Sequence, residues 1–145
     1  MPQVRREVIL MHSAQQLYEL VDDVDHYSEF IPGCERSGIL KDNGAGDKVG
    51  FLVFSYQGLQ QKVVTKNQCF PYQRIVVELE EGPFSMLKGQ WTFQAIDAHS
   101  CQVVLEFEYQ LIAGLESILS RPLNKAFEKV VDVFCARAER LYGSP

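Results

Sequence analysis

The chain has 145 residues, 46% of them hydrophobic and 23% charged, with a net charge of −5. That length supports one core and not two, so a single domain over residues 1–145 is expected. The acidic balance argues against a DNA-binding protein, and no apolar run nears the roughly 20 residues that span a bilayer.

Val4 to Met11 reads as a first strand. Only Val8 to Met11 is continuously apolar there, too short for a cleavable export signal. Ser13 is placed to cap a helix whose buried side is Leu17, Leu20 and Val21. Asp22 to Phe30 reads as a second short helix, ended by Pro32-Gly33. The period then changes to two. Ser37 to Lys41 and Lys48 to Tyr56 flank a turn-rich loop, Asp42 to Asp47. Gly58 turns the chain into Leu59 to Phe70, and Pro71-Tyr72 leads to Arg74 to Glu80. After Glu81-Gly82-Pro83 come Leu87 to Ala95, a turn at Asp97 to Ser100, and Gln102 to Leu111. Short turns between successive strands predict an antiparallel meander.

The last two strands show which face is buried. Leu87, Trp91, Phe93 and Ala95 alternate with Lys88, Gln90, Thr92 and Gln94, and Val103, Leu105, Phe107, Tyr109 and Leu111 with Gln102, Glu106, Glu108 and Gln110. Leu123, Ala126, Phe127, Val130, Val131, Phe134, Ala138 and Leu141 then recur at helical spacing and need a sheet to cover them. The fold class is therefore α+β: a curved antiparallel sheet wrapped around a long C-terminal helix, the helix-grip arrangement. Such a sheet tends to enclose an apolar space, which points to a hydrophobic ligand. Pro122 is expected to bend or restart the helix, with Ser120 as cap. Leu115, Ile118 and Leu119 would then form a separate piece that meets the Gly82-to-Met86 loop as a gate.

The basic first strand, the segment Tyr27-Ser28-Glu29-Phe30-Ile31-Pro32-Gly33-Cys34, the strand Gly89-Gln90-Trp91-Thr92-Phe93 and the helix from Phe127 to Leu141 together resemble the coenzyme-Q-binding, START-like proteins. That family was once described as oligoketide cyclase or lipid transport proteins, and its bacterial members include RatA-type ribosome association toxins. The resemblance spans nearly the whole chain. It implies a deep apolar cavity that binds ubiquinone or a similar isoprenoid lipid in support of respiration. For the RatA branch it implies association with the large ribosomal subunit. It further implies a cytoplasmic protein in transient contact with the inner membrane.

On this reading Phe30, Trp91, Phe93, Leu105, Phe107, Phe127, Val131 and Phe134 line the cavity, and Arg137, inside the apolar arc, meets a ligand carbonyl or headgroup. The same residues also fit an ordinary core, with Arg137 snorkelling at the helix end. Three functions stand side by side: a lipid carrier, a toxin that blocks ribosomal subunit joining, and a polyketide cyclase or dehydratase. The last needs inward acid–base groups such as Tyr56, Tyr109 or Arg137, and no two of these pair in the sequence. His12 and His99 have no evident Ser or Cys partner, so no enzyme activity and no resident cofactor is expected.

Asp22, Asp25, His26 and Glu29 share metal-like spacing, yet a solvated acidic helix start explains them, and no metal is expected. Cys34, Cys69, Cys101 and Cys135 lack any C-x-x-C spacing and read as free thiols of a reducing compartment. Arg121, Lys125 and Lys129 form a slanted basic row, with Glu128 and Asp132 expected to pair with it.

Overall fold

The computed structural model describes residues 3–143. In chain order it contains β1 (Gln3–Leu10), α1 (Ala14–Asp22), a 3-10 helix (Val24–Glu29), β2 (Cys34–Asp42), β3 (Asp47–Tyr56), β4 (Leu59–Phe70), β5 (Arg74–Glu81), β6 (Phe84–Asp97), β7 (Ser100–Leu111) and α2 (Glu116–Tyr142). All seven strands form one antiparallel sheet in the order β1-β7-β6-β5-β4-β3-β2. Strands β2 to β7 are the expected meander, and β1 closes on β7 from the far end of the chain. The α+β helix-grip class is what the structure has.

Local chemistry explains where elements begin. The Ser13 hydroxyl accepts the Gln16 N–H at 3.1 Å, and the Gln16 amide oxygen accepts the Ser13 N–H at 3.1 Å. That reciprocal capping box starts α1. The expected second short helix is present as a 3-10 helix, shorter than Asp22 to Phe30, and the Tyr27 hydroxyl ties it back to the Val21 carbonyl. β6 begins at Phe84, three residues before the expected Leu87, because Phe84 sits opposite Leu111 and is buried. Phe84 to Met86 are therefore strand, and only Gly82 and Pro83 remain as the turn of the proposed gate.

Helix α2 runs unbroken for 27 residues through Pro122. It starts at Glu116 with Leu115 as a cap lacking a side-chain bond, so Ser120 is not the cap. The missing Pro122 N–H leaves the Ile118 carbonyl without its helical donor, but Ile118 is exposed, where water can serve that oxygen. Leu119, Val131, Phe134 and Ala138 are the buried arc that holds the helix down.

Pairing registers define rows across the inner face. Arg6, Leu105, Trp91, Ile75 and Cys69 form one row; Val4, Phe107, Gly89, Val77, Asn67 and Lys48 form the next. Arg6 thus points inward from an edge strand. It donates to the Glu128 carbonyl at 2.7 Å and lies 3.5 Å from Asp132, fastening β1 to α2.

Candidate functional site

The space between α2 and the sheet is divided in two. In the first half, Trp91, Phe93, Val103, Leu105, Val131, Phe134 and Ala138 pack with Leu17, Leu20 and Val21 of α1. Their aromatic rings interlock: Phe134 meets Trp91 edge-on at 5.0 Å, Phe30 at 5.1 Å and Tyr27 at 5.4 Å. The void left among these side chains is about 10 Å³, no more than one water molecule needs. Five of the expected lining residues, Trp91, Phe93, Leu105, Val131 and Phe134, are therefore in mutual contact with no lipid-sized space between them.

The second half is less closed. Val63, Phe84, Leu87, Tyr109, Leu111 and Leu119 are buried there, while Phe54, Leu59, Leu79, Leu123 and Phe127 are only partly covered. The backbone of helix α2 comes nearest to β1, β7 and α1 and stands further from β2 to β5. The inner face of β3 to β5 consequently presents half-exposed Leu52, Thr65, Asn67, Val77 and Leu79. Phe107 touches both halves, and its ring lies 5.7 Å from that of Phe127. Gly89 makes this arrangement possible, because any Cβ there would stand 2.3 Å from the Phe107 ring. A wider hollow of about 410 Å³ lies where Gln3, Arg5, Glu78, Lys88, Glu106 and Glu108 surround Gly89. Its charges are partly paired already, Arg5 with Glu106 at 3.3 Å among them.

Phe30 and Arg137, the other expected site residues, meet at the end nearest the 3-10 turn. Arg137 has 11% of its side chain exposed and lies 3.6 Å from Glu29, with its guanidinium 5.0 Å above the Phe30 ring. Its buried Nε has no hydrogen-bond partner. A cation over an aromatic face gains from the ring quadrupole even where hydrogen bonds are incomplete. The polar residues of the inner face were not legible beforehand. Lys48 pairs with Asp22 at 2.8 Å, and Cys69 lies 3.5 Å from the same carboxylate. Thr65 donates to Asn67 at 2.9 Å. Their one signal was the alternation Leu59, Gln61, Val63, Thr65, Asn67, Cys69 against Gln60, Lys62, Lys66, Gln68, and three polar residues on the inner side obscured it.

The acidic helix start disperses. Asp22 serves Lys48, Asp25 accepts the Ile39 N–H at 3.0 Å, and His26 bonds Asp23 at 2.7 Å. That bond, with the charge of Asp23, holds the imidazole above its usual value. Tyr56 is exposed, whereas Tyr109 is 1% exposed and donates to Asn124. The expected pairing of Glu128 and Asp132 with the basic row does not occur: Asp132 is engaged by Arg6, and none of Arg121, Lys125 and Lys129 makes an ion pair among the described residues. The four cysteines are free. Burial pushes Cys101 to about 11, burial and Asp22 push Cys69 to about 11, and burial raises Cys34 and Cys135. At pH 8 a thiol with that value is only about 0.1% ionised, so alkylation of the native protein should be slow. Unfolding should release all four thiols; a thiol reacting natively at the rate of free cysteine would contradict this burial.

Comparison with known proteins follows the same lines. The family described as polyketide cyclase/dehydrase and lipid transport matches residues 10–135. A Vibrio cholerae protein named ribosome association toxin RatA is 34% identical over 144 residues, 99% of each chain. A Xenopus laevis protein named coenzyme Q-binding protein COQ10 homolog B, mitochondrial, is 24% identical over 93% of this chain and 57% of its own. A solved START superfamily protein from Mycobacterium smegmatis superposes with a TM-score of 0.80, at 17% identity, over 96% of this chain and 98% of that one.

Proposed function

This chain belongs to the polyketide cyclase/dehydrase and lipid transport family, and from that premise we propose that its working partner is the large ribosomal subunit, whose joining it hinders. The observation that carries the reading is the match over 99% of both chains to a relative named a ribosome association toxin. Here the fold is a scaffold, and function lies on its surface. On this reading the protein acts without turnover, which the bond from Tyr109 to Asn124 and the exposure of Tyr56 support. The purified protein, added to separated subunits and sedimented, should travel with the large subunit and lower the yield of joined ribosomes. Sedimentation at the top of the gradient, with joining unaffected, would exclude this reading.

A second reading, lipid binding, is favoured by the similarity to a coenzyme Q-binding protein and by the half-covered inner face of β3 to β5. An isoprenoid quinone tail would enter between that face and Leu123 and Phe127, not among the packed residues around Phe134. Each Å² of apolar tail surface removed from water stabilises by about 25 cal/mol. Organic extraction and mass spectrometry of the purified protein should then find an isoprenoid lipid, and Leu123→Arg should remove it. A folded Leu123→Arg protein with unchanged lipid content would refute that placement. Among the described residues no helix is long and apolar enough to cross a membrane.

A further inference from the structure

We infer that Arg121, Lys125 and Lys129 on the solvent side of α2 dock the phosphate backbone of RNA, an inference that rests on the ribosomal reading and names the face and the chemistry it uses. The three cations are exposed and occur every fourth residue. With a rise of about 1.5 Å per residue they stand roughly 6 Å apart along one slanted line, a step comparable to that between successive phosphates of a strand. None is neutralised by an ion pair among the described residues. Of the nearest acids on the helix, Asp132 lies 3.5 Å from Arg6, while Glu128 gives Arg6 only its backbone carbonyl, at 2.7 Å, and its carboxylate makes no ion pair among the described residues. Past the row the exposed side of α2 continues through Asp132, Ala136, Glu139 and Arg140.

Like charges four residues apart on a helix repel each other. Nothing in the packing of α2 uses these side chains, because Leu119, Val131, Phe134 and Ala138 hold the helix to the sheet. The row therefore weakens the free protein slightly and contributes only when an anion covers it. In a chain of net charge −5 the overall field repels a polyanion, so contact with RNA requires a local cationic surface of this kind. A rigid helix bearing evenly spaced cations suits a regular line of phosphates.

The test measures binding of the full chain to large ribosomal subunits, to an A-form RNA duplex of unrelated sequence, and to anionic phospholipid vesicles, each across a salt series. The R121Q/K125Q/K129Q variant should lower the slope of log affinity against log salt by about 2 to 3, one phosphate contact per cation. The R121E/K125E/K129E variant should bind subunits at least about tenfold more weakly. A control variant, K41Q/K66Q/K88Q, removes three exposed cations from the sheet and should leave binding unchanged. Unaltered thermal unfolding of each variant establishes that it is folded. Subunit binding indifferent to the row overturns this surface and leaves the ribosomal reading standing. Row-dependent binding to the duplex without binding to subunits supports the surface and removes the ribosomal reading. Row-dependent binding to vesicles alone overturns the RNA assignment in favour of a membrane.

Discussion

Phe134→Ala should lower the unfolding free energy by about 3–5 kcal/mol, the range for truncating a buried aromatic residue. The ring is 5% exposed and touches three others edge-on, those of Tyr27, Phe30 and Trp91. It joins α2, the 3-10 turn and β6 at one point, and edge-to-face pairs of this kind add to what area burial alone provides. The surroundings cannot collapse into the gap easily, since Trp91 is itself stacked on Phe93. Thermal unfolding should move down by about 10–15 °C for a chain of this length. Phe134→Leu, which keeps apolar bulk, should cost clearly less. A Phe134→Ala protein of unchanged stability would mean that the packed half of the interior is not the core.

The second large effect is expected at Gly89→Ala. The added Cβ would lie 2.2 Å from the Glu106 carbonyl oxygen and 2.3 Å from the Phe107 ring. The ring can swing aside, but the carbonyl belongs to the paired strand β7 and moves only with the sheet. Some stabilisation comes from a less flexible unfolded chain, about 0.4–1 kcal/mol, and it is outweighed. A net loss of about 3 kcal/mol is expected, at the upper end of what overpacking brings. The double variant Gly89→Ala/Phe107→Ala separates the two clashes. It should remain less stable than Phe107→Ala alone, because the carbonyl contact persists. A Gly89→Ala loss below about 1 kcal/mol, ordinary for any substitution, would show that the close approach of β7 to Gly89 is softer than its geometry implies.

Most of the fold was legible because alternation and helical spacing are direct images of burial. β6 and β7 announced their inner faces through Trp91, Phe93, Leu105 and Phe107, and α2 announced its arc through Val131, Phe134 and Ala138. What misled were residues whose local preference was overruled. Pro122 reads as a break, yet the arc on both sides of it is anchored and the helix continues. Phe84 follows Gly82-Pro83 and reads as loop, yet its pairing with Leu111 makes it strand. The site was legible as a set of apolar positions and not as a space. Whether Trp91 and Phe134 enclose a hollow or touch depends on how α2 is offset across the sheet, and spacing along one helix does not encode that offset. The partners of charged residues were hidden for the same reason. Glu128 and Asp132 look like neighbours of Lys125 and Lys129, but Arg6, more than a hundred residues away in sequence, reaches the same turn of helix.

The closure of the sheet also sets a timetable for synthesis. β1 is the first strand made and β7 the last, with Leu10 opposite Cys101 and Gln3 opposite Glu108. A ribosome adding about 5–20 residues per second leaves β1 without its partner for several seconds or more. During that interval Val4, Val8, Ile9 and Leu10 are part of a nascent segment with one or more open edges, the state in which strands find wrong neighbours. Loop closure over such a separation also makes the final step slow compared with forming the local hairpins. Moving β1 to follow α2 by circular permutation would shorten its separation from β7 to little more than the length of that helix, and refolding of the permuted chain should be faster.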